Sequence, residues 1–249
     1  MPNPDNVDAP VTLVGPGRSG TTLVTQIFRR HSCFFAVGES ASLVYTTYKQ
    51  LNSYLRNTGR IPGDRTVPDA ARDAVYAMLC SAYPSEEERW FQKPIFLPTV
   101  NRAFETPEEF GSWYWEASCH LFPRGRWLTV VREPVSTAAS IMVRWGNTEE
   151  HAFRRIENSF RLMLHPASRL GMVMPFEFLQ AKPRRAVRAL LGFADVPFEQ
   201  PCMGAFRANQ ARNPDVPRPT GLVPPRSVMD LYEQLLDRAD SAHLAATAD

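Results

Sequence analysis

The chain has 249 residues, 44% of them hydrophobic, which suits one ordinary α/β domain able to bury a core. Lysine plus arginine number 28 and aspartate plus glutamate 26, so the net charge of +2 is too small to point to a nucleic-acid partner. The four cysteines are dispersed without a C-x-x-C pair, the N-terminus lacks an apolar leader, and no run approaches the ~18 apolar residues of a membrane span. A cytoplasmic protein with free thiols is the expectation.

In chain order, Val11–Val14 has the length and β-branched content of a buried strand. A glycine-rich turn follows, and the stretch after Gly20 spaces Leu23, Val24, Ile27 and Phe28 as one face of a helix. Strand, glycine turn and helix start together form an anion-binding device, because unpaired N–H groups and about half a positive charge converge at the helix N-terminus. Gly15, Gly20 and Thr22 keep the frame G-x-x-x-x-G-x-T of a phosphate-binding loop. Thr21 stands where that loop has its lysine, and a cation appears earlier, as Arg18. The cradle survives while the residue that reaches the outer phosphates of ATP is gone.

Phe34–Val37 reads as a short strand or packed connector, and helices are expected over about Leu43–Arg56 and from Pro68 to Tyr83. Arg89–Lys93 reads as a strand ending at Pro94. Thr106-Pro107-Glu108-Glu109 is a helix start with hydroxyl cap, proline and early acids. The helix it opens carries Phe110, Trp113, Tyr114, Ala117 and Leu121 on one stripe, a core face rather than a stacking platform. Trp127–Val131 is the clearest buried strand. It ends at Arg132-Glu133-Pro134, and helices should follow over Ser136–Arg144 and Glu149–Leu164. Gly171–Phe176 reads as a further strand, with a helix over Pro183–Leu191. Gln200–Pro225 contains six prolines and little periodicity, which predicts a long loop over about 200–226 before a last helix opening at Ser227. Strands alternating with helices imply a three-layer, P-loop-like fold, its central, mostly parallel sheet flanked by helices. Ligands in such sheets bind beyond the carboxyl ends of the strands. The turn at Gly15–Thr22, Lys93 and Arg132 all follow predicted strands, so they can converge on one edge.

The segment Gly17-Arg18-Ser19-Gly20-Thr21-Thr22-Leu23 resembles the 5′-phosphosulfate loop of sulfotransferases that use 3′-phosphoadenosine 5′-phosphosulfate (PAPS), in the spelling of the Golgi, tyrosylprotein and bacterial branches. Arg132-Glu133-Pro134 with Ser140 is similar to that family's 3′-phosphate motif, an arginine at a strand end and a serine eight residues on. A planar guanidinium can pair two phosphate oxygens while the hydroxyl adds a third hydrogen bond. Met174–Leu179, Pro183 and Leu190–Phe193 resemble the family's Tyr-Glu-Asp-Leu strand end and Phe-Leu-Gly segment. Phe176 replaces the tyrosine, so ring stacking on the base is retained and the phenol contact is lost.

The resemblance spans about Val11–Phe193 and implies a site in which Gly17, Arg18, Ser19, Gly20, Thr21 and Thr22 hold the phosphosulfate. Arg132 and Ser140 fix the 3′-phosphate, Phe176 meets the base, and Lys93 stabilises charge on the sulfonate. No metal is implied. The histidine that serves as base in cytosolic members falls at Ile95 here. His31 aligns with a helix-end histidine of structural role in the tyrosylprotein branch. Glu39, twenty-one residues after Arg18, matches an acid of that branch and is the candidate base. The acceptor is expected to be a hydroxyl, or an amine, of a small molecule. Phe96, Leu97 and Phe104 favour a lipophilic one, and the oligomeric state stays open. The alternatives are a degenerate P-loop kinase or NTPase, for which no strand-end aspartate is found to hold magnesium, and a non-catalytic nucleotide-binding module.

Overall fold

The computed structural model describes residues 9–37, 41–59, 66–82, 89–93, 104–212 and 220–239. Its centre is a five-stranded, wholly parallel sheet of β1 (Val11–Val14), β2 (Phe34–Val37), β3 (Arg89–Gln92), β4 (Arg126–Val131) and β5 (Leu170–Pro175). The spatial order is β2-β3-β1-β4-β5. Such a sheet is covered on both faces, so its strands are mostly apolar, with Thr12, Gln92 and Thr129 buried among them. Alternate side chains nevertheless go to different cores. Val11, Leu13, Phe91, Leu128, Val130, Met172 and Met174 face one, and Val14, Trp90, Trp127, Val131 and Val173 face the other.

The first core is closed by α1 (Thr21–Arg29), α7 (Phe176–Ala181) and α8 (Pro183–Phe193). Leu23, Val24, Ile27 and Phe28 of α1 are all buried, as the helical spacing predicted. The second core takes α2 (Ala41–Thr58), α3 (Val67–Ala82), α4 (Pro107–Leu121), α5 (Pro134–Trp145), α6 (Glu149–Leu164) and α10 (Arg226–Asp237). Phe110, Tyr114, Ala117 and Leu121 of α4 lie in that core. Thr106 caps α4 by accepting from the Glu109 N–H at 3.1 Å, with Pro107 in the first turn, as the sequence indicated. Among the described residues no helix is long and apolar enough to cross a membrane.

Two expectations are corrected. The loop expected over about 200–226 contains a 3₁₀ turn at Gln200–Met203 and helix α9 (Gly204–Arg212), while the chain from Thr220 to α10 is irregular. Helix α9 has almost no amphipathic pattern, which is why periodicity missed it. It is held by two small buried side chains, Cys202 and Ala205, in the core shared with α1. The other correction is at β5, which ends at Pro175; Phe176 opens α7 instead of closing the strand. Pro175 in extended geometry provides a first N-terminal stop from which the chain turns.

Because Ala205 is fully buried against a packed helix, Ala205→Leu is expected to lower stability by about 1–3 kcal/mol through overpacking. Urea denaturation monitored by circular dichroism measures it, and a change within error would show that α9 is only loosely seated.

Candidate active site

The strands β1, β4 and β5 are neighbours, and the turns at their carboxyl ends meet over one sheet edge. The turn after β1 works only with glycine at two positions. A Cβ on Gly15 would lie 2.9 Å from Thr129 Oγ1. A Cβ on Gly20 would lie 2.4 Å from the Phe176 ring, and Gly20 has φ +108°, a region that L side chains rarely adopt. Gly20 is also the N-cap of α1, and no side chain caps that helix. The first N–H groups of α1 are thus left to an anion.

Within the turn, Ser19 is fully buried and donates its hydroxyl to Pro16 O at 2.9 Å. Its role is to brace the turn. Arg18 takes the left-handed conformation, φ +73°, at a cost of about 1–2 kcal/mol for an L residue. In return its Nε donates to Ser140 Oγ on α5 at 3.1 Å. Residues 122 apart in sequence are tied together there. Glu133 caps α5, accepting from the N–H groups of Val135 at 2.8 Å and Ser136 at 2.7 Å, and so fixes the turn that carries Arg132. Behind that turn Tyr232 of α10 is pushed up to about 12, mainly by burial, with Glu177 and Glu133 adding to it.

Arg132 lies with its guanidinium 4.8 Å from the centre of the Phe176 ring. The ring is only 7% exposed, covered by Arg132 on a face and by Gly20 at its rim. Phe176, the residue expected to meet a base, thus carries Arg132 on its ring and is a platform for that guanidinium. A guanidinium over an aromatic ring gains about 0.5–2 kcal/mol and is held in orientation.

A cavity of about 240 Å³ opens among these parts. Arg18, Gly20, Thr21, Thr22, Arg132, Ser140 and Phe176 line it. Of the residues singled out in the sequence, these seven are brought together. Gly17 and Ser19 belong to the turn but do not line the cavity. Lys93 follows β3, beside β1, and is nearly buried at 7% exposure without lining the cavity. Glu39, Ile95, Phe96 and Leu97 lie outside the described residues. Phe104 packs instead with Phe110 and Trp113, at ring separations of 5.7 and 5.3 Å. His31 is buried elsewhere: Nδ1 accepts from the Cys33 N–H, which leaves Nε2–H to donate to Pro197 O at 2.9 Å. It is structural. Among the described residues no three His, Cys, Asp or Glu side chains gather as a metal site would require.

Sequence reasoning missed Gln180, Asn209 and Gln210, which line the cavity beside the cationic wall. Gln180 is one helical turn beyond Phe176, a spacing that could have flagged it. Asn209 and Gln210 ride on α9, and their position could not be read while that segment was taken for a loop.

A cationic pocket on a helix N-terminus at the edge of a parallel sheet fits transfer of an anionic group. The family model of the sulfotransferase family matches residues 10–200, which contain β1 to β5 and every described residue of the cationic wall. The chain belongs to the sulfotransferase family. No curated protein matches it in sequence. Among solved structures it is similar to the sulfotransferase domain from the Synechococcus PCC 7002 olefin synthase, with TM-score 0.55 and 17% identity over 94% of this chain and 95% of that one. The sulfotransferase domain from the curacin biosynthetic pathway gives TM-score 0.55 and 17% identity over 95% and 98%. Sulfotransferase STF9 from Mycobacterium avium gives 0.52 and 14% over 94% and 77%. At these identities the likeness establishes the fold: a P-loop-like parallel sheet between helical layers. This sulfotransferase is an enzyme of sulfuryl transfer, and its cationic wall suits the charge on such a group.

Gly20→Ala tests the close approach on which the wall depends. The added methyl must displace Phe176 and strain the backbone, so we expect a loss of about 2–4 kcal/mol in stability. Anion binding, followed by protection against thermal unfolding, should fall with it. A variant as stable as the parent would mean that Phe176 does not rest on Gly20.

Proposed function

We propose that this sulfotransferase takes its sulfuryl group from PAPS and delivers it to a hydroxyl, or an amine, of a small-molecule acceptor. The observation that carries the reading is that Arg18, hydrogen-bonded to Ser140, and Arg132 line one cavity. A nucleotide phosphorylated at two places needs two separated cationic contacts, and the cavity supplies both on a shared wall. The fit is supported by the uncapped N-terminus of α1 and by the space that Gly20 leaves for a close backbone approach.

In this reading Gly17, Ser19 and Gly20 shape the turn, while Arg18, Thr21, Thr22 and the first N–H groups of α1 hold the 5′-phosphosulfate. Arg132, steadied by Phe176, and Ser140 hold the 3′-phosphate. Gln180, Asn209 and Gln210 meet the base, since a carboxamide offers the paired donor and acceptor of the adenine edge. The donor supplies an activated sulfonate with a nucleotide phosphate as leaving group. Arg18 and Lys93 stabilise the negative charge that develops there, in a setting where fixed charges need no reorganisation. Glu39 removes the proton from the acceptor hydroxyl oxygen. We place the whole of residues 1–249 in one sulfotransferase domain, acting in a reducing cytosol. All four cysteines are free thiols, in keeping with that compartment.

The donor is tested with the product nucleotide. 3′-Phosphoadenosine 5′-phosphate should bind roughly tenfold or more tightly than ADP, and raise the melting temperature further at equal concentration. Arg132→Ala should abolish the difference. Equal protection by ADP, or none by either, overturns the reading. The base is tested separately: Glu39→Gln is expected to cut turnover by about 10²–10⁴ with nucleotide affinity unchanged. Full turnover by that variant on the physiological acceptor would remove Glu39 from the mechanism.

A further inference from the structure

Strands β4 and β5 run in parallel register, with Val130 facing Met174 and Val131 facing Pro175. Both strands end there, because Pro134 opens α5 and Phe176 opens α7. The pairing nevertheless continues for two more rungs, now through side chains. Arg132, next in line, sets its guanidinium 4.8 Å from the centre of the Phe176 ring. Glu133, one residue further, donates its backbone N–H to Glu177 Oε1 at 3.4 Å, and these two residues keep the ladder's offset of 44.

The Glu133 N–H has few other places to go. It lies beyond the last paired residues of the sheet, and as the N-cap of α5 it precedes the helix's own hydrogen bonds. The Glu133 carboxylate is engaged in the opposite direction, accepting from Val135 at 2.8 Å and Ser136 at 2.7 Å. Glu177 supplies the acceptor, and it makes no ion pair among the described residues. Behind them stands Tyr232 of α10, its phenol pushed up to about 12 first by burial and then by Glu177 and Glu133, which puts both carboxylates near that ring.

We propose that Glu177 is a positioning residue for Arg132. Stacking on Phe176 sets the height of the guanidinium above the ring but leaves the turn that carries it free to swing about the contact. A second hold, one residue on and on the backbone itself, removes that freedom. A carboxylate suits the task because it accepts an N–H more strongly than a neutral group does. Glu177 acts from outside the anion site: Phe176 and Gln180 of the same helix line the cavity, and Glu177 does not. Its consequence for ligand binding rests on the reading that Arg132 receives the 3′-phosphate.

Two measurements on the full chain test this role. In isotope-labelled protein the NMR resonance of the Arg132 Nε–H, assigned by its loss in Arg132→Lys, should be displaced by the Phe176 ring. Glu177→Leu should move it towards the free-arginine position. Glu177→Gln should leave it in place, since the amide carbonyl can still accept from Glu133. A resonance unmoved by Glu177→Leu overturns the inference whatever the nucleotide does. By calorimetry, Glu177→Leu should weaken 3′-phosphoadenosine 5′-phosphate about fivefold, and adenosine 5′-monophosphate, which lacks the 3′-phosphate, by less than about twofold. Glu177→Gln should stay within about twofold of the parent for both. On an Arg132→Ala background Glu177→Leu should have no further effect. Equal losses for the two nucleotides, or a further loss on that background, overturn the inference, because Glu177 would then act on the fold at large. Failure of the donor reading shows separately, as an Arg132→Ala variant that keeps its full preference for the 3′-phosphate, and the resonance alone then decides.

Discussion

The site hangs on one van der Waals contact, the Phe176 ring against the bare Cα of Gly20. The contact joins the end of β5 to the end of β1, and Arg132 from the end of β4 lies on the same ring. Three neighbouring strands thus deliver a platform, a phosphate turn and a cation to one place. An apolar ring seated on backbone has a single low-energy position, so it fixes the guanidinium above it more firmly than a water-exposed carboxylate could. Dispersion and shape do the positioning of the cation.

The sheet order explains why this edge carries the site. From β1 the chain moves past β3 to form β2, returns to β3, and then crosses β1 to build β4 and β5 on its other side. The direction of winding reverses about β1, and in an open parallel sheet that reversal leaves a crevice beyond the carboxyl ends. The helices that leave the two sides, α1 and α5, both start at this crevice. Arg18 and Ser140 close it with their hydrogen bond. The bond spans the reversal point and makes one wall from two halves of the fold.

Most of this arrangement was legible in the residues, because its signals are short and local. The phosphate turn, the arginine at the end of β4 and the helix cap at Thr106 each depend on a few adjacent residues. Helix α9 could not be read in that way. It is seated by Ala205, with Cys202 of the preceding turn in the same core, a tertiary effect without a period in the sequence. With α9 went Asn209 and Gln210, and so one side of the cavity. Phe176 was found as a residue but the arginine on its face was not, since what covers an aromatic face is settled by a partner 44 residues away. Phe104 was assigned to an acceptor pocket on hydrophobicity alone, whereas an aromatic cluster with Phe110 and Trp113 accounts for it.

The phenylalanine at position 176 and the amides of α7 and α9 are two parts of one solution. The ring has Arg132 on its face and Gly20 against the Cδ2–Cε2 edge of its rim. The ring serves as support for a cation. The neutral hydrogen-bonding groups of the cavity come from elsewhere on its wall, where Gln180, Asn209 and Gln210 stand. Neutral amides suit that place. They carry donors and acceptors in equal measure, add no charge to compete with Arg18 and Arg132, and are brought in by helices seated on the same core as α1. Arg18 and Arg132 then give the cavity its charge, while three carboxamides give it neutral donors and acceptors.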